Sequence, residues 1–134
     1  MFLNQDIRWK QRFQNFSKSF ELLELSLKIT NPDITQKAGI IQFFEISFEL
    51  AWKVMKDYSE EIGFTDVKSP RDAIKKSFET GIIDDGETWI KALADRNLSS
   101  HTYEEITANE IDNLIRTDYF KILNSFKIVM QAKL

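Results

Sequence analysis

The sequence predicts an all-α fold, an antiparallel up-and-down bundle of about five helices. Three observations predict it. Apolar residues recur at steps of three and four, the spacing that lines one face of a helix. Prolines and glycines are few, two and four in 134 residues, and they are expected where helices begin or end. Strand alternation fails wherever it starts, and no repeat or low-complexity linker divides the chain. The length fits a single domain, residues 1–134, able to bury a core without disulfides or a metal.

The first helix is expected from about Asn4 to Ile29, with Trp9, Phe13, Phe16, Phe20, Leu23 and Leu27 forming one apolar stripe. Asn31-Pro32-Asp33 breaks it. The second runs from Ile34 to Ile62. Its run Ile40-Ile41-Gln42-Phe43-Phe44 could pass for a strand, but Ile41, Phe44, Phe48, Trp52, Met55 and Ile62 follow a helix face, and Glu49 and Lys53 form a favourable i,i+4 pair. Gly63 is placed to act as a C′ residue. Ser69-Pro70 with Asp72 opens a short third helix, with a hydroxyl cap, proline at N1 and an acid in the first turn. Ile74 and Phe78 are expected to face inward, and Gly81 ends it. Asp84-Asp85-Gly86-Glu87 begins a fourth helix carrying Trp89, Ile90 and Leu93 as far as Asp95 to Leu98. Thr107-Ala108-Asn109-Glu110 reads as a capping box. It would start a long last helix burying Ile111, Leu114, Ile115, Tyr119, Ile122, Phe126 and Val129.

Composition narrows the function classes. Hydrophobic residues make up 43% and charged residues 29%, the balance of a soluble globular protein. Without cysteine there is no disulfide framework, thiolate metal site or thiol nucleophile. The first ten residues carry no apolar core of a secretory leader, and no run is long enough to span a bilayer, so the expected compartment is the cytoplasm with no membrane contact. The net charge of −3 argues against a general nucleic-acid binder, whose affinity comes mainly from phosphate neutralisation. Any RNA contact has to be local.

The segment Arg96-Asn97-Leu98-Ser99-Ser100-His101-Thr102-Tyr103 stands apart. It holds the single histidine, and neither it, Arg96 nor Tyr103 fits an apolar pattern. A histidine moves protons near neutral pH, and an arginine holds a phosphate through a planar fork of donors. On an unbroken helix Arg96 and Tyr103 share a face, whereas His101 is rotated about 140° from Arg96. Arg96 and His101 therefore converge only if the helix breaks or a second subunit supplies its own pair. Asn97, Ser99 and Ser100 favour a break, because their side chains compete for backbone hydrogen bonds. The alternative is that Arg96 and His101 complement a helix C-terminus and that Tyr103 is a half-buried loop aromatic.

Four blocks carry a family resemblance. They are Phe44-Glu45-Ile46-Ser47-Phe48-Glu49-Leu50-Ala51-Trp52-Lys53; Ser69-Pro70-Arg71; Gly81-Ile82-Ile83-Asp84-Asp85-Gly86 with Trp89; and Asp95 to Tyr103. In this order, over nearly the whole chain, they resemble the nucleotidyltransferase substrate-binding family, a branch of the HEPN superfamily. The resemblance implies a helical bundle that forms a homodimer and works beside a separately encoded minimal nucleotidyltransferase, with RNA or a nucleotide as a further partner. In the wider superfamily R-x4-6-H marks metal-independent endoribonucleases, often toxins of toxin–antitoxin pairs. Arg96 and His101 match those positions, and Tyr103 completes R-x4-H-x-Y. By that likeness His101 is general base or acid at the ribose 2′-hydroxyl and Arg96 stabilises the phosphorane charge. Asn97 orients the pocket, and Tyr103 receives AMP from the partner.

No cofactor is expected. The acids at 84–87 read better as a helix cap than as a metal cluster, and one histidine without cysteine makes zinc a poor fit. Lacking a Gly-Ser phosphate loop and a D-x-D pair, the chain is not expected to transfer nucleotides itself. The aromatic stripes read as core. Glu45, Glu49, Lys53 and Lys56 form a solvated, interface or groove-lining face. Three functions compete: a HEPN subunit of a two-gene system, a free-standing ribonuclease toxin, and a structural oligomerisation domain.

Overall fold

The computed structural model describes residues 2–98 and 105–134, with side chains from residue 7 to 97 and from 107 to 134. Among them the order is α1 (Phe2–Ser26), α2 (Ile34–Glu61), α3 (Pro70–Glu79), α4 (Gly86–Leu98), α5 (Glu105–Leu114), a π-helical turn (Ile115–Tyr119) and α6 (Phe120–Gln131). The last three run on as one rod, so the fold is the expected all-α bundle of five helices.

Side-chain pairs fix the directions. Trp9 meets Tyr58 edge-on and Ser19 hydrogen-bonds Ser47 at 2.7 Å, so α1 and α2 are antiparallel. Phe16 meets Phe126 and Phe20 stacks on Phe120, which makes α6 antiparallel to α1. Trp89 meets Phe126 while Asp95 meets Tyr119, so α4 opposes the last rod. The four long elements alternate, and α3 packs against α2 and α4.

The apolar stripe of α1 is buried from Trp9 to Leu23, with Leu27 packed at its edge. The aromatic pairs just named lie inside the bundle, so the stripes are core. The helix ends at Ser26, three residues before the expected Ile29. Ser26 Oγ donates to the Leu23 carbonyl at 2.8 Å, a local bond that competes with helix propagation. Asn31 then takes a left-handed φ of 51°, which asparagine tolerates. Asp33 caps α2 in a reciprocal box with Gln36. The strand-like run from Ile40 is helical and buries Ile40, Ile41 and Phe44. Gly39 lies inside α2, not at a boundary.

Gly63 (φ 109°) and Gly81 (φ 82°) close α2 and α3. In each case the next N–H reaches back to a helix carbonyl, Phe64 to Ser59 and Ile82 to Ser77, the bonding of a Schellman end. Ser69 caps α3 through the Asp72 N–H, with Pro70 at N1.

Two inward assignments fail. Ile62 is 45% exposed because it is the cap after the last turn of α2 and has left the stripe. Phe78 is 53% exposed: α3 turns Ala73, Ile74 and Ser77 inward, leaving Phe78 at the edge, where its ring lies against Gly86. There it borders a largely apolar groove of about 490 Å³ with Arg71, Ile74, Lys75 and Ile90.

The last rod also departs from expectation. Helix α5 already starts at Glu105, so Thr107 is inside its first turn and the capping box does not form its start. Asn109 instead accepts a hydrogen bond from Lys37 Nζ on α2. Ile111, Ile115, Tyr119 and Leu123 are buried at successive steps of four. In a regular α-helix each such step drifts by about 40°, and the wide π turn takes up the extra residue. Ile122 and Phe126 are buried as expected, whereas Leu114 and Val129 are partly exposed at the core's edge. Arg116, within the π turn, pairs with Asp112 at 3.1 Å and donates to the Leu27 carbonyl at 2.8 Å. The π turn thereby ties down the chain leaving α1.

Candidate functional site

Helix α4 carries the first half of the polar motif. Asp85 caps it, accepting from the Thr88 N–H at 3.1 Å and the Thr88 hydroxyl at 2.7 Å. Both its oxygens are engaged in the cap. Trp89, Ala92 and Leu93 are buried, with Trp89 wedged between Phe48 and Phe126. That anchorage sets the rotation of the helix. Asp95, Arg96 and Asn97 then fall in its last turn, where Asp95 meets the π turn, Arg96 meets α2 and Asn97 is exposed.

Arg96 is held from several sides. Its Nη1 donates to Glu49 Oε2 on α2, and its Nη2 donates to Asn97 Oδ1 at 3.1 Å. The guanidinium carbon lies 6.0 Å from the centre of the Phe48 ring, within reach of a cation–π contact. The other Glu49 oxygen lies 3.5 Å from Lys53 Nζ. Glu49 thus bridges two cations, one on its own helix and one on α4. The arginine side chain is 22% exposed and the glutamate 34%, so the pair is accessible to solvent.

One residue earlier, Asp95 accepts a hydrogen bond from the Tyr119 hydroxyl. Burial pushes the Tyr119 phenol far up, and the hydrogen bond and charge of Asp95 push it further, so it stays neutral and donates. The ring stacks on Phe44 at 5.3 Å. The end of α4 is therefore tied to α2 through Glu49 and to the π turn through Tyr119.

Of the four residues singled out from sequence, the structure brings Arg96 and Asn97 together. His101 and Tyr103 lie outside the described residues. Sequence reasoning missed three participants. Glu49 is expected from sequence as the partner of Lys53 and as part of a solvated, interface or groove-lining face with Glu45, Lys53 and Lys56, and the spacing gives no sign of its bond to Arg96. Asp95 was quoted without a role. Tyr119 was assigned to the apolar face, where a phenol needing a hydrogen-bond partner was the available signal. Arg96 also sits where a cation complements a helix C-terminus, so that alternative keeps its observation alongside the bond to Glu49.

Among the described residues no group of histidine, aspartate and glutamate is arranged to hold a metal, and no helix is long and apolar enough to cross a membrane.

Known proteins place this geometry in context. The probable ribonuclease HepT of Haemophilus influenzae is 32% identical over 102 residues, 71% of this chain and 68% of that protein. A solved structure from Thermus thermophilus superposes with a TM-score of 0.78 at 25% identity, over 87% of this chain and 97% of that one. Another, from Haemophilus influenzae, is described as revealing the fold of a substrate binding domain of a nucleotidyltransferase. It superposes with a TM-score of 0.74 at 25% identity, over 91% and 99% of the two chains. The model of the family described as nucleotidyltransferase substrate binding protein like matches residues 11–132, and it is to this family that the chain belongs.

Proposed function

We propose that this protein is the HEPN subunit of a two-component system. It would bind a minimal nucleotidyltransferase in the cytoplasm and cut RNA through Arg96 and His101 without a metal. The observation that carries this reading is the fixed position of Arg96 at the end of α4, bonded to Glu49 and Asn97 and five residues before the histidine of R-x4-H-x-Y. The likeness to a probable ribonuclease supports it. Residues 1–134 act as one domain, since the described helices share a single core. That domain works as a homodimer, the state that the family resemblance implies.

In this mechanism His101 takes the proton of a ribose 2′-hydroxyl as the oxygen attacks the adjacent phosphorus. Arg96 meets the charge that grows on the phosphorane oxygens. Asn97, bonded to Arg96, orients the fork. The 5′-oxygen of the next nucleotide leaves as a hydroxyl, taking up a proton from solvent while His101 returns its own to solvent, and a 2′,3′-cyclic phosphate remains. Tyr103 is the acceptor of AMP from the nucleotidyltransferase partner. The added anion would pair with Arg96 and exclude an RNA phosphate from the same donors.

Incubation of the purified protein with single-stranded RNA and a chelator tests the chemistry. The expected result is cleavage to 2′,3′-cyclic ends, lost in His101→Ala. Cutting that survives His101→Ala, or that stops with chelator, would overturn it. Co-expression with the adjacent nucleotidyltransferase should add AMP to Tyr103, read by peptide mass spectrometry, and Tyr103→Phe should abolish it.

A further inference from the structure

The motif assigns a role to Arg96 but none to the carboxylate bonded to it. Glu49 is a residue of α2, 47 positions away in sequence, and its two oxygens face Arg96 and Lys53. A carboxylate and an RNA phosphate compete for the same N–H edge of a guanidinium, because each offers two anionic oxygens that accept charge-assisted hydrogen bonds from its planar fork of donors. The Arg96–Glu49 pair is partly exposed, so solvent and ligand reach it, and an exposed ion pair exchanges at little cost.

We propose that Glu49 is a built-in counter-ion of the Arg96 anion site, a positioning residue that aims the guanidinium and at the same time screens it from RNA. The proposal rests on the ribonuclease reading above and adds its control. In the resting state Glu49 holds the fork against the Phe48 ring. An incoming phosphate shares or displaces the carboxylate, which keeps Lys53 as its partner on the same helix. Affinity for RNA is thereby held down in a chain whose net charge is already negative, and binding becomes restricted to phosphates that reach Arg96 directly.

Two substitutions separate aiming from screening. Glu49→Gln keeps an acceptor oxygen for the arginine but removes the charge, while Glu49→Ala removes both. Binding is measured in the His101→Ala background with a fluorescent single-stranded RNA oligonucleotide, over a salt series. Glu49→Gln is expected to tighten binding by roughly threefold to tenfold at low salt, the size of one nearby screened charge, and to steepen its salt dependence. In the cleaving background Glu49→Ala should lower single-turnover cleavage by roughly tenfold or more through loss of aim, and Glu49→Gln, which keeps an acceptor oxygen for the guanidinium, should recover part of that loss. Circular dichroism melts confirm that each variant folds. Unchanged or weaker RNA binding by Glu49→Gln overturns the proposal. Arg96→Ala distinguishes the two layers: if it leaves RNA binding intact, the ribonuclease reading itself fails, and if it weakens binding while Glu49→Gln has no effect, only the role of Glu49 fails.

Discussion

Two of the carboxylates that helix α2 presents to arginines of other helices, Asp57 and Glu49, sit in contrasting surroundings. Near the C-terminal end of α2, Asp57 is 3% exposed and lies 3.4 Å from Arg12 Nε on α1. That separation is an ion pair without a hydrogen bond, and Asp57 Oδ2 has no hydrogen-bond partner. Eight residues earlier, Glu49 is partly open to solvent, hydrogen-bonded to Arg96 and shared with Lys53. A sealed, imperfectly bonded charge costs desolvation and breaks expensively. An open, well-bonded one costs little and can be exchanged. The Asp57 pair belongs to the helix interface, and the Glu49 pair is the one that the proposal above makes exchangeable with a phosphate.

The largest expected effect tests this division by removing each arginine in turn. Arg96→Ala should lower RNA cleavage by on the order of a hundredfold, the size of losing one donor to a developing anion. It should change stability by about 1 kcal/mol or less, since Glu49 keeps Lys53 and water. Arg12→Ala should do the reverse. Stranding the Asp57 carboxylate should cost about 1–3 kcal/mol in urea denaturation, the lower end because Arg8 and Lys56 also act on it. Its cleavage per folded molecule should be unchanged. A destabilised Arg96→Ala, or a neutral Arg12→Ala, would erase the contrast.

Much of the frame was legible beforehand because it is written in local chemistry. The stripe from Trp9 to Leu23 needs only helical spacing, and Asp33, Ser69-Pro70, Gly63 and Gly81 act on backbone groups within a few residues of themselves. What failed was context. Phe78 has a core residue's chemistry but sits on the edge of a short helix whose rotation is set by Ala73, Ile74 and Ser77. Thr107 to Glu110 spells a cap, yet α5 had already begun. The π turn could be suspected from the steps of four between Ile111, Ile115 and Tyr119, but its effect, aiming Tyr119 at Asp95, depends on where α4 lies. The site shows the same split. Arg96 and Asn97 could be picked out as neighbours in a polar run, whereas the Glu49 contact spans 47 positions and no periodicity encodes it. His101 and Tyr103 stand on the sequence motif alone.

Tyr119→Phe sharpens the comparison at the junction of the two regions. It deletes the hydroxyl bonded to Asp95 while keeping the ring stacked on Phe44. The expected cost is about 1 kcal/mol, the net worth of one hydrogen bond to a partly exposed carboxylate. If Asp95 helps fix the last turn of α4, cleavage should also fall by a few fold, read in single turnover at saturating RNA. A stability loss with unchanged cleavage would make Tyr119 a core residue and leave the aim of Arg96 to Glu49.

The smallest effect concerns Asp57 itself and has a definite sign in pH. Burial raises its pKa above the ordinary 3.8, more than the opposing pull of Arg12, Lys56 and Arg8 lowers it, with Glu60 adding to the rise. Folding therefore favours the protonated form. The stability this gives is fully present below the unfolded value of 3.8 and is lost as pH rises through the folded pKa. At neutral pH the protein carries an ionised carboxylate that its surroundings under-solvate. Asp57→Asn cannot ionise and escapes that loss, so it should melt about 2–4 °C higher than the parent at neutral pH. The advantage should shrink on acidification and vanish below the unfolded value. If Asp57→Asn melted lower than the parent at neutral pH, Arg12 would outweigh burial, and the Asp57 pair would be a stabilising bridge despite its missing hydrogen bond.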